Sequence, residues 1–256
     1  MNHFVSVYFN YCGYNSRTKL TKEFCSRYPE VCLIEVAYGD DPFVINASNT
    51  EQVRLERKAG FITNKLVNDY IQKHWSSIAS LTILDSDLEL PINFFERLQI
   101  HLETRMSEPY FIQPFSRTRE LYPDKLLQAI PMRSCAYAGN MSGHPGYIHC
   151  YNKKLLSKIG DFPESFLLGG YDFLLFHALF KENDQLSKTI KNKALTDELL
   201  DLSIRLDGTK IDYMACEIQH HYHGDKNKRY KHRWDLYQSI DENIIESYFF
   251  GRKEDE

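Results

Sequence analysis

The stretch Leu81-Thr82-Ile83-Leu84-Asp85-Ser86-Asp87 decides how the rest of the sequence is read. Four mostly aliphatic residues make a short apolar run of buried-strand length, and the run stops on two acids. In α/β sheets, ligands collect just beyond the carboxyl ends of strands. Side chains at i and i+2 of an extended chain project to the same side, so Asp85 and Asp87 can face one site. Two carboxylates held together repel, and a divalent cation relieves the repulsion. Hard oxygen ligands suit Mg²⁺ or Mn²⁺, with diphosphate oxygens filling the remaining positions. An Asp-x-Asp tripeptide also arises by chance in solvated turns, so this one gains meaning only if other residues converge on it.

Outward from this point, strands alternate with helical patterns. Phe4-Val5-Ser6-Val7-Tyr8-Phe9 and Val31-Cys32-Leu33-Ile34-Glu35-Val36 read as strands, as do residues 110–115 and 147–151. Residues 51–74 place Val53, Ala59, Phe61, Ile62, Leu66, Val67, Tyr70 and Ile71 near a helical period, which predicts a helix there. Alternation of this kind argues for an α/β layered domain. Residues 181–206 are charged and helix-prone and predict a solvated helical insertion, and residues 252–256 a frayed tail.

The chain has 256 residues, enough for one sizeable core and too few for two large domains. Hydrophobic residues make up 43% and charged residues 26%, an ordinary globular balance. A net charge of −4 argues against a surface built as a whole for nucleic acid. No apolar run reaches the length of a membrane span. The first ten residues, MNHFVSVYFN, lack the long apolar stretch and small-residue cleavage site of a signal peptide. Cys12, Cys25, Cys32, Cys135, Cys150 and Cys216 are scattered without close pairing and predict reduced, buried thiols. A cytoplasmic location is therefore expected.

Two further motifs carry chemistry. Leu168-Gly169-Gly170-Tyr171-Asp172 precedes an apolar helical run over residues 173–180. Paired glycines let the backbone come close to a ligand. Asp172 stands where the helix begins, a place at which Asp also serves as an N-cap. Residues 220–233 read HHYHGDKNKRYKHR and bring His220, His221, His223 and His232 together with Lys226, Lys228, Arg229, Lys231 and Arg233. Imidazole is a common metal ligand, and Arg binds phosphate with two parallel hydrogen bonds. One loop can thus supply a metal ligand and a diphosphate clamp. It can also be a solvated basic loop, or a patch that binds nucleic-acid phosphates.

Taken in order, these motifs resemble those of the GT-A fold glycosyltransferases. They are especially similar to family-2-like members of bacteria and viruses, whose late motif is His-x-Trp-His-Gly followed by Arg and Tyr. Here it is His220-His221-Tyr222-His223-Gly224, then Arg229-Tyr230 and Arg233. Residues 146–156 and Ile159-Gly160-Asp161-Phe162 are similar to the central strand and helix of that family and to the approach to its Gly-rich loop. Tyr222 stands where relatives carry Trp, and Phe173 follows Asp172 where they often have a second polar residue.

The resemblance implies a GT-A-type nucleotide-sugar-binding domain with a mixed, mostly parallel sheet flanked by helices. It implies a single domain over residues 1–256, with a donor-binding half at about 1–90 and an acceptor- and metal-closing half at about 91–250. The activity implied is metal-dependent transfer of a sugar from a nucleotide-sugar donor to a hydroxyl acceptor, whether a glycan, a protein or a modified DNA base. The implied ion is Mn²⁺, with Mg²⁺ as the alternative. The resemblance sets Asp85 near the ribose or the metal and makes Asp87 a direct metal ligand. His223, or else His220, completes the metal site. Asp172 faces the acceptor as general base. Arg57, Lys58 and Asn64 lie on the donor side, Gly169 and Gly170 lie against the ligand, and Arg229 and Arg233 contact the diphosphate. Two competing readings are a nucleotidyl or phosphoryl transferase with a paired-Asp metal site and a non-catalytic nucleic-acid-binding module. The first is weakened by the lack of a Gly-Lys-Ser/Thr phosphate loop, the second by the net charge.

Overall fold

The computed structural model describes residues 1–9, 15–56, 59–60, 62–122, 124, 126–167, 169–182, 190, 192–222 and 236–237. Among them a seven-stranded sheet forms the centre, in the order β10 (Lys210–Tyr213), β6 (Tyr110–Gln113), β9 (Ile148–Asn152), β4 (Ser80–Leu84), β1 (Asn2–Phe9), β2 (Val31–Tyr38) and β3 (Thr50–Leu55). Neighbours pair in parallel except at β9, which runs antiparallel to both β4 and β6. The mixed, mostly parallel sheet flanked by helices is the architecture expected from the sequence.

Because successive side chains of a strand point to opposite faces, each central strand feeds two cores. Ile34, Phe111 and Tyr151 join Leu66 and Tyr70 of helix α2 (Thr63–His74), Cys135 of α4 (Cys135–Ala138), Leu155 and Leu156 of α5 (Lys153–Ile159), and Leu175 and Phe176 of α6 (Tyr171–Leu179). Their chain neighbours Leu33, Ile112 and Cys150 pack on the other face with Phe24 of α1 (Asn15–Arg27) and Phe94 and Leu98 of α3 (Phe94–Glu103). Burial on both faces explains why the strands read as continuous apolar runs. Each Leu or Phe so buried contributes about 1.5–3 kcal/mol.

A second sheet has four strands, in the order β5 (Leu88–Glu89), β11 (Glu217–His221), β7 (Arg117–Leu121) and β8 (Met132–Arg133). β5 begins one residue after Asp87. β11 is therefore hydrogen-bonded on one side to the continuation of the Asp-Ser-Asp loop, and on the other to β7, with His220 in register with both Leu88 and Glu120.

Two expectations are corrected. Residues 51–55 belong to strand β3 and not to a helix; Val53 and Leu55 alternate with outward polar residues on an edge strand, and the helix starts only at Thr63. The helix within residues 181–206, α7 (Lys193–Arg205), is not solvated all round. Leu195, Leu199 and Leu202 recur at helical spacing on a buried face, and Ser203 Oγ donates to the Ala178 carbonyl of α6 at 3.2 Å. The predicted tail lies outside the described residues. Cys25, Cys32, Cys135, Cys150 and Cys216 are free thiols. No helix among the described residues is long and apolar enough to cross a membrane.

Candidate active site

Asp85, Ser86 and Asp87 leave the carboxyl end of β4 at the seam between the two sheets. The antiparallel register opposes Leu84 to Ile148, so the residue before Ile148 lies beside Asp85. That residue is Tyr147, whose carbonyl accepts the Asp85 N–H at 3.0 Å. Tyr147 holds a positive φ of 79°, a conformation unusual for a bulky residue. Its phenol donates to Glu120 Oε1 at 3.0 Å. Glu120 Oε2 accepts from His220 Nδ1 at 2.8 Å, and His220 Nε2 lies 3.5 Å from Asp87 Oδ1. The His221 N–H returns to the Asp87 carbonyl at 2.9 Å. These contacts close a circuit from Asp85 through Tyr147, Glu120 and His220 to Asp87. Thr21 of α1 and Ser86 share a hydroxyl hydrogen bond of 2.9 Å that ties the loop to the first helix.

Rings stack along the same line. His144 lies parallel on Tyr147 at 4.0 Å between centroids, and Tyr147 lies 4.5 Å from His220. Gln113 fixes the turn between them from below: its amide donates to the carbonyls of His144 at 2.8 Å and Gly146 at 3.3 Å, and its oxygen accepts the Ala136 N–H.

The charges are strongly coupled. Asp85 is solvent-exposed, and protein atoms crowd round its carboxyl. That crowding first, and the Asp87 charge second, push its carboxyl up to about 7; Asp172 adds to the rise, while His220 and Arg17 oppose it. His220 is only 7% exposed. Burial works against its charge, but Asp87 and Glu120 outweigh burial and push it up to about 9. Burial and then Glu120 raise the Tyr147 phenol, so it remains a donor.

Asp172 approaches the same loop from α6, close enough for its charge to act on Asp85. Its Oδ2 lies 2.8 Å from where a Cβ on Gly146 would stand. The helix is capped by Gly170 with φ 86°, without a side-chain cap bond, and Asp172 sits inside the first turn. The N-cap alternative for Asp172 is therefore replaced by Gly170. Gly169 also holds a positive φ, and its carbonyl accepts from Tyr237 at 2.9 Å. Both glycines meet a conformational requirement that other residues pay for in strain.

The structure thus assembles Asp85, Asp87, His220 and Asp172. Asn64 is turned elsewhere: its amide donates to the Pro163 carbonyl, and with Asn68 it secures the segment ahead of the glycine pair. Arg57, Lys58, His223, Arg229 and Arg233 lie outside the described residues. Glu120, Tyr147, His144, Gln113 and Arg17 were not singled out from the sequence.

The donor set can be tested against the divalent cation that the resemblance implies. Among the described residues no cluster of three or more His, Cys, Asp or Glu side chains is arranged to hold a metal ion. Both His220 nitrogens face carboxylates of the protein. Asp85 and Asp87 nevertheless fit a hard cation, because their mutual repulsion is what such an ion relieves.

No protein-family model and no curated protein matches the chain. Among solved structures the chain is similar to that of S. aureus TarS, with a TM-score of 0.49 and 10% identity over 96% of this chain and 42% of that one. It is also similar to glucosyl-3-phosphoglycerate synthase from Mycobacterium tuberculosis in complex with Mg²⁺ and uridine diphosphate, with a TM-score of 0.44 and 12% identity over 100% of this chain and 81% of that one. The chain spans less than half the length of TarS.

Proposed function

We propose that this chain is a glycosyltransferase that moves a sugar from a nucleotide-sugar donor to a hydroxyl acceptor with the help of a divalent cation. The observation that carries the reading is the approach of a third carboxylate, Asp172 from the start of α6, to the paired carboxylates at the end of β4. The first pair suits a metal diphosphate and the third suits an acceptor hydroxyl. The order of motifs resembling GT-A enzymes supports the same division, with a donor half at about 1–90 and an acceptor half at about 91–250.

On this reading Asp85 and Asp87 hold the cation, with Asp85 the more open of the two. When bound, a divalent ion supplies stabilisation of the charge that develops on the departing nucleoside diphosphate. His220 stays buried between Asp87 and Glu120 and fixes the Asp87 carboxylate; His223 is the imidazole left to join the ion. Arg229 and Arg233 pair with diphosphate oxygens, and Arg17 lies close enough to Asp85 to influence that site. Asp172 takes the proton of the acceptor hydroxyl if the reaction inverts the anomeric centre, and positions the acceptor if it retains it. The preferred ion is Mn²⁺, which accepts mixed oxygen and imidazole ligands.

A thermal-shift screen of sugar nucleotides with and without Mn²⁺ tests this reading. A donor at a hundred times its Kd stabilises the fold by about 2.7 kcal/mol. One or more donors should raise the melting temperature only when Mn²⁺ is present. A screen in which no sugar nucleotide shifts the transition contradicts the proposal.

A further inference from the structure

We propose that Glu120 is the positioning residue of the Asp85–Asp87 loop, acting with Tyr147 to set how the two carboxylates meet a divalent cation. The inference rests on the metal site proposed above and concerns residues that the motifs do not include.

Three observations carry it. Glu120 sits on the inward phase of β7 and is 4% exposed, where a carboxylate is unfavourable unless both oxygens are engaged. Both are: Oε1 accepts from Tyr147 and Oε2 from His220. Those two partners are the residues that hold the two ends of the loop, Tyr147 through the Asp85 N–H and His220 through the Asp87 carboxylate. Tyr147 keeps a positive φ in doing so, and strained backbone persists where its surroundings over-determine it. One side chain on a distant strand is therefore tied both to the backbone of Asp85 and to the carboxylate of Asp87. Groups that orient metal ligands in this way typically change metal affinity by about 10–100-fold when altered.

Glu120→Gln keeps the shape of the side chain but leaves one acceptor where there were two. Its amide can donate to the Tyr147 hydroxyl while its oxygen faces His220, so the fold is preserved and the hold on His220 is loosened. Tyr147→Phe keeps the ring stack and removes only the hydroxyl. The test titrates Mn²⁺ alone into the full chain and reads the free ion by electron paramagnetic resonance, with circular dichroism and melting curves alongside. Glu120→Gln should bind Mn²⁺ about 10–100-fold more weakly with native circular dichroism. Tyr147→Phe should weaken binding less, and the double variant should show less than the sum of the two effects because they act through one circuit. Wild-type Mn²⁺ affinity in both single variants, even with a lowered melting temperature, makes Glu120 a structural residue and overturns the proposal. Wild-type protein that takes up no Mn²⁺ instead overturns the metal site itself, a result separable from the first because it is seen before any substitution is made.

Discussion

The Asp172 Oδ2 lies 2.8 Å from the point a Cβ would occupy on Gly146, in the turn that leads to Tyr147 and the Asp85 backbone. The acid on α6 and the acids after β4 are thus linked through Gly146 and Tyr147. An added methyl at Gly146 meets the end of the flexible Asp172 side chain and, at 3.2 Å, His144 Cε1, so the Asp172 carboxylate is moved and the His144 ring shifts slightly while the fold is kept. Gly146→Ala should leave the melting temperature nearly unchanged and lower sugar transfer by about tenfold or more, since small misplacements of a catalytic group carry large kinetic penalties. Melting curves and transfer rates on the purified variant check this. Normal transfer would show that the position of Asp172 is not critical.

Asp172→Asn probes the same carboxylate without moving it. Gly170 caps α6, so the substitution removes no cap. Stability should stay close to wild type, while transfer falls by about a hundredfold or more, the scale of lost general-base assistance. Donor affinity, read by calorimetry, should be unchanged. A retaining mechanism in which Asp172 only positions the acceptor predicts instead a raised acceptor KM with a smaller loss of kcat.

His220→Ala strips the charge from between Asp87 and Glu120, both buried. Removing one partner of a buried ion pair leaves carboxylates uncompensated and costs about 3–5 kcal/mol. Urea unfolding should show a loss of this order. A loss below about 1 kcal/mol would mean that Asp87 and Glu120 do not depend on His220.

Two groups make the metal-free fold sensitive to pH in the same direction. Asp85 rises from 3.8 to about 7 in the fold, so between those values the folded chain binds a proton that the unfolded chain has released. His220 rises from 6.5 to about 9 and does the same over the higher window. Both contributions are full at low pH and are lost as pH rises through the folded values. The melting temperature of the wild type relative to Asp85→Asn should therefore fall as pH rises from about 5 to about 8 in chelator. Saturating Mn²⁺ should remove that trend by neutralising the Asp85 charge. A pH-independent difference contradicts the raised Asp85 carboxyl.

Much of this arrangement was legible in the sequence because it is written locally. The run ending in Asp85-Ser86-Asp87 announces a buried strand with acids at its carboxyl end, and Gly169-Gly170 announces a backbone turn before α6. What was not legible depends on pairing over long separations. Glu120 meets His220 only because β7 and β11 lie side by side, and nothing near either residue encodes that register. The one local hint was the placement of Glu120 on the same strand face as Thr118, both buried. Strand β3 was missed for a different reason. Its Val53 and Leu55 suit an edge strand, but Val53 read together with the real helix that follows falls into one helical period. Asn64 shows the converse error: a polar residue on a helix face near the site is spent on holding a neighbouring loop.

The central claim is that Asp85 and Asp87 serve the cleavage of a nucleotide sugar. The most direct measurement is release of nucleoside diphosphate from a panel of sugar nucleotides by the wild type, Asp85→Asn and Asp87→Asn, in Mn²⁺ and in chelator, with circular dichroism on each protein. Asp87 is buried against His220, so the dichroism control separates lost chemistry from lost fold. The wild type should release nucleoside diphosphate from at least one donor in Mn²⁺ and from none in chelator, with a loss of about a hundredfold or more in both folded variants. Release that persists in chelator, or that survives in folded Asp85→Asn and Asp87→Asn, would contradict that claim.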